Sequence, residues 1–190
     1  MGDADDPAAA VSFRRAAEPD LAAIVDLRVE FERITRNSPS ADWAARRAEL
    51  GRLFRRDLRS GTLAVWLAES GGRAVAQAAL RIRAAPGVEW RAEGGPVGEL
   101  LNVYTDSRFR FRGLATALVA LALAEARALG LARVRLQPTE DSLRMYRKAG
   151  FAGDGRAMVL ELRRGEGPIG AAPAPPAAPA PPAPPSPPPQ

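Results

Sequence analysis

The chain has 190 residues and a formal net charge of +5, from 27 Lys and Arg against 22 Asp and Glu. It contains neither cysteine nor histidine, which excludes disulfides, Cys–His and Ser–His–Asp nucleophilic sites and nearly all zinc centres. Lys148 is its only lysine and follows no glycine-rich loop, which argues against a P-loop nucleotide hydrolase. Any catalysis therefore falls to carboxylates, tyrosine, hydroxyl groups, backbone amides or a bound cofactor.

The positive charge has two interpretations: an anionic partner, or a composition bias in which arginine is abundant throughout. Because the arginines alternate with acidic residues and form no single basic run, we expect no nucleic-acid partner. The acidic start at 1–10 lacks an apolar signal segment, and no apolar run approaches the length of about 18 residues that a membrane span needs. We therefore expect a cytoplasmic protein without membrane contact and without a metal site.

The elements of the first half follow from apolar periodicity and turn residues. After a disordered leader at 1–10, the pattern predicts a strand at 11–15 and a helix that Glu18-Pro19-Asp20 opens. Ser40 is the expected N-cap of a second helix, whose inward residues are Trp43, Leu50, Phe54 and Leu58. Two strands at 62–69 and 73–83 are expected to form a hairpin around Gly71-Gly72.

The second half begins with a loop at 84–96, in which Trp90 is either a core or lid residue or a contact to substrate. A strand at 99–105 follows, and then a helix at 113–129 that is apolar on nearly all sides and is expected to be deeply packed. A strand at 132–137, a helix at 138–149 and one or two strands at 151 and 157–162 complete the pattern. This order predicts an α/β fold with a central mixed sheet.

The C-terminal segment changes composition abruptly. Twelve of the 23 residues from 168 to 190 are proline and most others are alanine, so we expect a solvated, partly polyproline II tail. Its role is either docking on an SH3-like groove or no more than that of a spacer.

A phosphate-binding pattern lies between the predicted strand at 99–105 and the helix behind it. Arg110, Gly113 and Ala115 form R-x-x-G-x-A at the mouth of that helix, with Arg108 and Arg112 beside them. Small residues let a ligand approach the backbone, and the first N–H groups of a helix lack internal partners and attract anions. The pattern predicts a phosphate-bearing ligand.

This segment resembles the acetyl-CoA-binding segment of the Gcn5-related N-acetyltransferase (GNAT) family, whose pattern is roughly V-x-x-x-P-x-[FY]-R-x-x-G-[ILV]-[GA]. The matching residues here are Val103, Ser107, Phe109, Arg110, Gly113, Leu114 and Ala115, with Ser107 in place of the frequent proline and Ala115 in place of the second glycine.

A second match, 142–151, resembles the family's ending, small-x-x-[LM]-Y-x-K-x-G-F, and the runs at 101–105 and 139–141 are typical of a bacterial branch. The chain's only two tyrosines, Tyr104 and Tyr146, fall inside these motifs. The resemblance implies a GNAT domain at 11–163, with a mixed, mostly antiparallel sheet flanked by helices, and a disordered tail at 164–190.

The resemblance also implies the position of acetyl-CoA. The pantetheine arm would lie along the strand at Val103, Tyr104 and Thr105, and the Val103 N–H would face the thioester oxygen. The pyrophosphate would lie near Arg110, on the amides of Phe111, Arg112, Gly113, Leu114, Ala115 and Thr116. Asn102 and Tyr104 would point to the opposite face, as structural or substrate-side residues.

Two residues are implied in catalysis. Tyr146 would protonate the departing thiolate, or would only hydrogen-bond the sulfur or pack the helix. Glu99 would remove the amine proton through water, or would be an exposed strand-end residue, with a chain of waters acting instead. Alternation along the strand predicts Glu99, Leu101 and Val103 on one face.

The leading hypothesis is an acetyl-CoA-dependent N-acetyltransferase that acts on a primary amine of a small molecule or peptide, and a neighbouring version of it uses a larger acyl group. The acceptor pocket would be built by the first two helices and the 84–96 loop, and a homodimer is left open. One alternative is a non-catalytic acyl-CoA-binding or sensor domain of the same fold. Another is an interaction module in which the proline tail is the active part.

Overall fold

The computed structural model describes residues 10–36, 42–83 and 96–162 of the chain. Several features singled out above lie outside these residues: the leader except Ala10, Ser40, Trp90 with its loop except Pro96, and the tail at 164–190. Among the described residues, no helix is long and apolar enough to cross a membrane.

The described ranges form seven strands and four α-helices, in an order that agrees with the sequence-based prediction. These are β1 Val11–Arg15, α1 Leu21–Arg36, α2 Trp43–Arg59, β2 Leu63–Ser70, β3 Arg73–Arg83, β4 Val97–Thr105, α3 Leu114–Ala128, β5 Arg133–Leu136, α4 Leu143–Lys148, β6 Ala152–Gly153 and β7 Met158–Glu161. Short 3-10 turns at Glu18–Asp20, Ser107–Phe109 and Glu140–Ser142 precede α1, α3 and α4.

One seven-stranded sheet organises these elements, in the order β1-β2-β3-β4-β5-β7-β6. Every neighbouring pair is antiparallel except β4 and β5, which are parallel. The tight β2–β3 connection contains Gly71 and Gly72, both with positive φ, as a hairpin turn requires. The expected mixed, mostly antiparallel sheet is confirmed.

Helices cover both faces of the sheet and enclose two apolar clusters. On one face, the buried side of α3 and Tyr146 of α4 pack against alternate residues of β2 and β3, such as Trp66 and Leu80. On the other face, α1 and α2 bring Ile24, Phe54 and their neighbours onto the remaining strand residues. The clusters divide the sheet into an α3/α4 face and an α1/α2 face.

The long apolar helix is less buried than its composition predicts. In α3, one stripe is buried, and Thr116, Ala120, Ala124 and Arg127 are exposed. The expectation that this helix is deeply packed is wrong, because alanine has a high helix propensity and is also well tolerated on an exposed helix surface.

Two smaller predictions also differ from the structure. The N-cap of α2 is Asp42 rather than Ser40, and its side chain accepts a hydrogen bond from the Ala45 N–H at 2.9 Å. Both residue types are good caps, so propensity alone does not separate them. The helix expected at 138–149 is a 3-10 turn followed by the six-residue α4.

Candidate active site

The parallel strands β4 and β5 pair only at their first residues, where Val97–Glu99 lie opposite Arg133–Arg135. β4 then continues to Thr105, and β3 stays paired with it over this length. In the described part of the chain, the edge of β4 at 100–105 therefore faces β5 without a strand partner. Free backbone N–H and C=O groups on such an edge can pair with an extended ligand.

β4 carries an extra residue in this open section. Leu101 lies opposite Ala79 and Tyr104 lies opposite Gln77, so that both Asn102 and Val103 face the single residue between them on β3. This is a β-bulge, and Asn102 has a positive φ of 54°. Asparagine tolerates this left-handed conformation better than most residues.

The bulge changes which side chains share a face. Leu101 and Tyr104 pack in the α1/α2 cluster, whereas Val103 packs against the α3/α4 cluster. The expectation that Glu99, Leu101 and Val103 share one face is wrong, because strict alternation holds only in an unbulged strand. Asn102 and Tyr104 do share the α1/α2 face, where Arg28 contacts Asn102 and the Phe31 ring lies 6.0 Å from Tyr104.

The turn after β4 is built around Phe109, which is fully buried and anchors the Ser107–Phe109 turn to the core. Asp106 supports the turn by accepting hydrogen bonds from the Arg108 N–H at 3.1 Å and from the Arg73 guanidinium at 3.1 Å. Donation from Arg108 and Arg73 lowers the pKa of Asp106 to about 2. The turn is therefore fixed to the core by the buried Phe109 ring and by the ionised carboxylate of Asp106.

The predicted phosphate loop at 110–113 is exposed to solvent, and its backbone is accessible to a ligand. Phe111 is fully exposed with φ of 62°, and Gly113, with φ of 80°, is the N-cap of α3. The first intrahelical bond runs from Ala117 N–H to Gly113 C=O at 3.0 Å, so the N–H groups of 114–116 precede it. A Cβ added to Gly113 would meet nothing within 4 Å, which leaves room for a ligand against the backbone.

The arginines of this loop point in different directions. The Arg110 Nε donates to the Thr105 carbonyl at 3.3 Å, back toward the end of β4. The Arg112 guanidinium lies over the Phe109 ring, 5.6 Å from its centroid. Arg110 thus links the end of β4 to the loop, and Arg112 remains beside the helix start.

Tyr146 lies on the α3/α4 face, in the cluster against which Val103 packs. Its residue is only 5% exposed, and its ring meets Phe151 edge-on at 5.7 Å. Burial raises the pKa of Tyr146 above its ordinary value, so the phenol is neutral and keeps its proton at physiological pH. The Phe151 N–H donates to the Tyr146 carbonyl at 3.0 Å, which closes the turn after α4.

Glu99 lies on the face toward α2. Its Oε2 is 3.9 Å from Nη1 of Arg81, and Arg81 in turn is 3.5 Å from the largely buried Asp57 of α2. The side chain of Glu99 is 28% exposed, so it is neither buried nor a freely solvated strand end. Tyr146 and Glu99 thus approach β4 from opposite faces.

The residues that sequence reasoning missed are Glu32 and Arg46, which join Arg28 beneath the bulge. Glu32 is 2% exposed and pairs with both arginines. A signal was present in the sequence: Arg28 and Glu32, spaced i and i+4, interrupt the apolar stripe of α1.

The fold is that of an α/β domain built on one mixed, mostly antiparallel sheet. The model of the Acetyltransferase (GNAT) family matches residues 7–151, and the chain therefore belongs to the GNAT acetyltransferase family. The sequence has no match among curated proteins.

Solved structures agree with this assignment. The chain is 25% identical to a predicted acetyltransferase from Clostridium acetobutylicum, crystallised with acetyl-CoA, with a TM-score of 0.66 over 81% of this chain and 96% of that chain. It is 25% identical to a GCN5-related N-acetyltransferase from Ralstonia eutropha, with a TM-score of 0.67 over 76% of this chain and 94% of that one. An N-acetyltransferase from Thermoplasma acidophilum, in complex with coenzyme A, shares the fold at 16% identity, with a TM-score of 0.62 over 80% and 99% of the two chains.

Proposed function

We propose that the chain is an acetyl-CoA-dependent N-acetyltransferase that transfers the acetyl group directly to a primary amine of a small molecule or peptide. The observation that carries this proposal is the edge of β4 at 100–105, which has no strand partner among the described residues and is followed, after the Ser107–Phe109 turn, by the open helix start at Gly113. One extended ligand with a phosphate at its far end fits both features. Acetyl-CoA, which the C. acetobutylicum relative holds, is such a ligand.

In this proposal, the pantetheine arm pairs with β4 at Val103, Tyr104 and Thr105. The pyrophosphate accepts hydrogen bonds from the amides of 111–116, where a helix N-terminus favours negative charge. Arg110 and Arg112 add positive charge. The working domain spans residues 11–163, and the tail at 164–190 takes no part in the reaction.

The chemistry is a direct attack. The amine nitrogen forms a bond to the thioester carbon, the developing oxyanion is stabilised by the Val103 N–H, and the C–S bond then breaks. Tyr146 gives its proton to the departing thiolate. The position of Tyr146 in the apolar cluster against which Val103 packs supports this role. Burial raises the pKa of Tyr146, so the phenol is neutral before the thiolate forms.

Glu99 is the proposed base, acting through water on the amine proton. Its approach from the α2 face, opposite Tyr146, supports a division in which the proton is removed on one side of β4 and donated on the other. The Arg81 guanidinium lies 3.9 Å from the carboxylate. A chain of waters remains the alternative route for this proton.

The variant Tyr146→Phe tests the proposal against a non-catalytic acyl-CoA sensor. We expect Y146F to lower kcat by about 10²- to 10⁴-fold, the usual contribution of a positioned acid, while acetyl-CoA affinity stays within about threefold. Turnover is measured by release of the free thiol of coenzyme A, and binding by calorimetry.

Tyr104→Phe is the matched comparison, because its ring packs on the α1/α2 face. We expect Y104F to lose less than about tenfold in kcat, which is below the usual contribution of a positioned acid. An unchanged kcat in Y146F would remove Tyr146 from the mechanism. Tight acetyl-CoA binding by the wild-type chain without thiol release would instead support a sensor.

A further inference from the structure

The β4 bulge is held from one side by an ionic cluster in which two partly exposed arginines surround the buried Glu32. Arg28 of α1 donates from Nη1 to Oδ1 of Asn102 at 2.7 Å, and from Nε to Oε1 of Glu32 at 2.9 Å. Arg46 of α2 donates hydrogen bonds to both oxygens of the same carboxylate, from Nη2 to Oε1 at 2.7 Å and from Nε to Oε2 at 2.8 Å. We name Arg28, Glu32, Arg46 and Asn102 the Glu32 clamp. It ties α1, α2 and the bulge of β4 together through one carboxylate.

The Glu32 clamp fixes the orientation of its members in addition to stabilising the packing of α1 on α2. Glu32 is 2% exposed, and the hydrogen bonds from Arg46 and Arg28 lower its pKa to about 2. A buried ion pair often stabilises a fold no better than apolar side chains of the same size. Its distinctive property is directional, because charge-assisted hydrogen bonds between planar groups fix orientation.

Asn102 is the residue of β4 that the Glu32 clamp orients, through the hydrogen bond from Arg28. It is 5% exposed, adopts φ of 54°, and immediately precedes Val103. Arginine can only donate, so the Arg28 contact fixes which end of the Asn102 amide is the oxygen. The contact therefore restrains both the side chain and the unusual backbone conformation from which the Val103 N–H emerges.

From this arrangement we infer that the Glu32 clamp positions the Val103 N–H toward the thioester oxygen, with Arg28 and Asn102 as positioning residues. The inference rests on the proposed acetyl transfer. An oxyanion donor is effective only when it is held in place, and displacement by about 1 Å costs up to about 10²-fold in rate. The Glu32 clamp reaches the reaction through β4 and not by contact with substrate.

The matched pair for the test is Arg28→Met and Arg33→Met. Both arginines lie on α1, pair with a glutamate of the same helix, and lie over an aromatic ring at 5.4 and 5.3 Å. Only Arg28 contacts Asn102. We expect R28M to lower kcat about 10- to 100-fold with the KM for acetyl-CoA within about threefold, and R33M to change kcat less than twofold.

Variants of Asn102 separate positioning from folding. Asn102→Asp keeps an oxygen for Arg28 and tolerates positive φ, so we expect it to retain kcat within about threefold. Asn102→Ala loses both properties and should match R28M. Because Arg28 and Asn102 act through one contact, the double variant R28M/N102A should be no slower than the slower single variant. Losses that multiply in the double variant would overturn the inference.

An NMR measurement tests the inference without relying on turnover. In ¹⁵N-labelled full chain with coenzyme A added, the amide signals of Asn102 and Val103 should move in R28M and stay in place in R33M. Unmoved signals in R28M would overturn the inference even if acetyl transfer is found. If the wild-type chain transfers acetyl to none of tyramine, spermidine, glucosamine and a lysine peptide, the proposed function fails. The amide signals of Asn102 and Val103 in R28M and R33M then still show whether the Glu32 clamp holds the bulge.

Discussion

Gly113 shows how a single residue joins the fold to the proposed cofactor site. Its positive φ of 80° starts α3, and no atom lies within 4 Å of the Cβ that another residue would carry. In the free protein, a side chain there costs only backbone strain. With a phosphate against the loop, the same side chain would occupy the space of the ligand.

We predict that Gly113→Ala lowers acetyl-CoA affinity at least tenfold, and the free energy of unfolding by about 1–2 kcal/mol from left-handed strain. The matched control is Gly130→Ala, at the other end of α3, where φ is 66° and nothing lies within 4 Å of the added Cβ. G130A should show the same loss of stability and wild-type affinity by calorimetry. Equal affinities in the two variants would contradict the placement of the pyrophosphate at Gly113.

At single positions, the family motifs predict which residues form the candidate site but not the surroundings of those residues. Tyr146 was predicted as a neutral phenol, and its burial agrees with that. The Arg81 and Asp57 neighbours of Glu99 could not be predicted, because they come from β3 and α2 and meet only when the sheet and helix pack. Local patterns specify residue types, whereas electrostatic partners depend on tertiary contacts.

At the scale of elements, strands and helices were predictable where turn residues bound an apolar pattern, as at the β2–β3 hairpin. The bulge in β4 was not, because a two-residue alternation cannot reveal an extra residue that only pairing with β3 defines. The exposed side of α3 was missed for a different reason. Alanine reports little about burial, so its abundance there concealed an ordinary one-sided helix.

The packing of α1 on α2 gives a prediction at this scale. Because the pKa of Glu32 is about 2 in the folded chain and near 4.5 when unpaired, the unfolded chain takes up its proton first as the pH falls. The stabilising contribution of Glu32 is therefore complete above about pH 4.5 and is lost as the pH falls toward about 2. It amounts to something on the order of 3 kcal/mol.

We accordingly predict that Glu32→Gln lowers the free energy of unfolding by about 3 kcal/mol at pH 7 and by less than about half of that at pH 3, measured in urea. The control is Glu49→Gln, which removes an exposed partner of Arg46. E49Q should cost under about 1 kcal/mol at either pH. A difference between wild type and E32Q that stays constant from pH 7 to pH 3 would show that the charge of Glu32 is not what joins α1 and α2.

At the scale of the whole molecule, the family assignment and the sheet together define a GNAT domain, whose activity we propose to be independent of the proline-rich segment. Truncation of residues 168–190 should leave kcat and the KM for acetyl-CoA within about twofold of the full chain, since none of the proposed site residues lies there. Thiol release by both chains, measured side by side, checks this. Loss of turnover on truncation would favour the alternative in which the tail is the active part.

The most direct test of acetyl transfer is mass analysis of the amine after incubation with the full chain and acetyl-CoA. Tyramine, spermidine, glucosamine and a lysine peptide sample different acceptor chemistries. We predict that at least one gains a single acetyl group, in step with thiol release, and that Y146F suppresses both signals together. Acetyl-CoA that binds but leaves every amine unmodified, or thiol release without an acetylated amine, would contradict the proposed N-acetyltransferase activity.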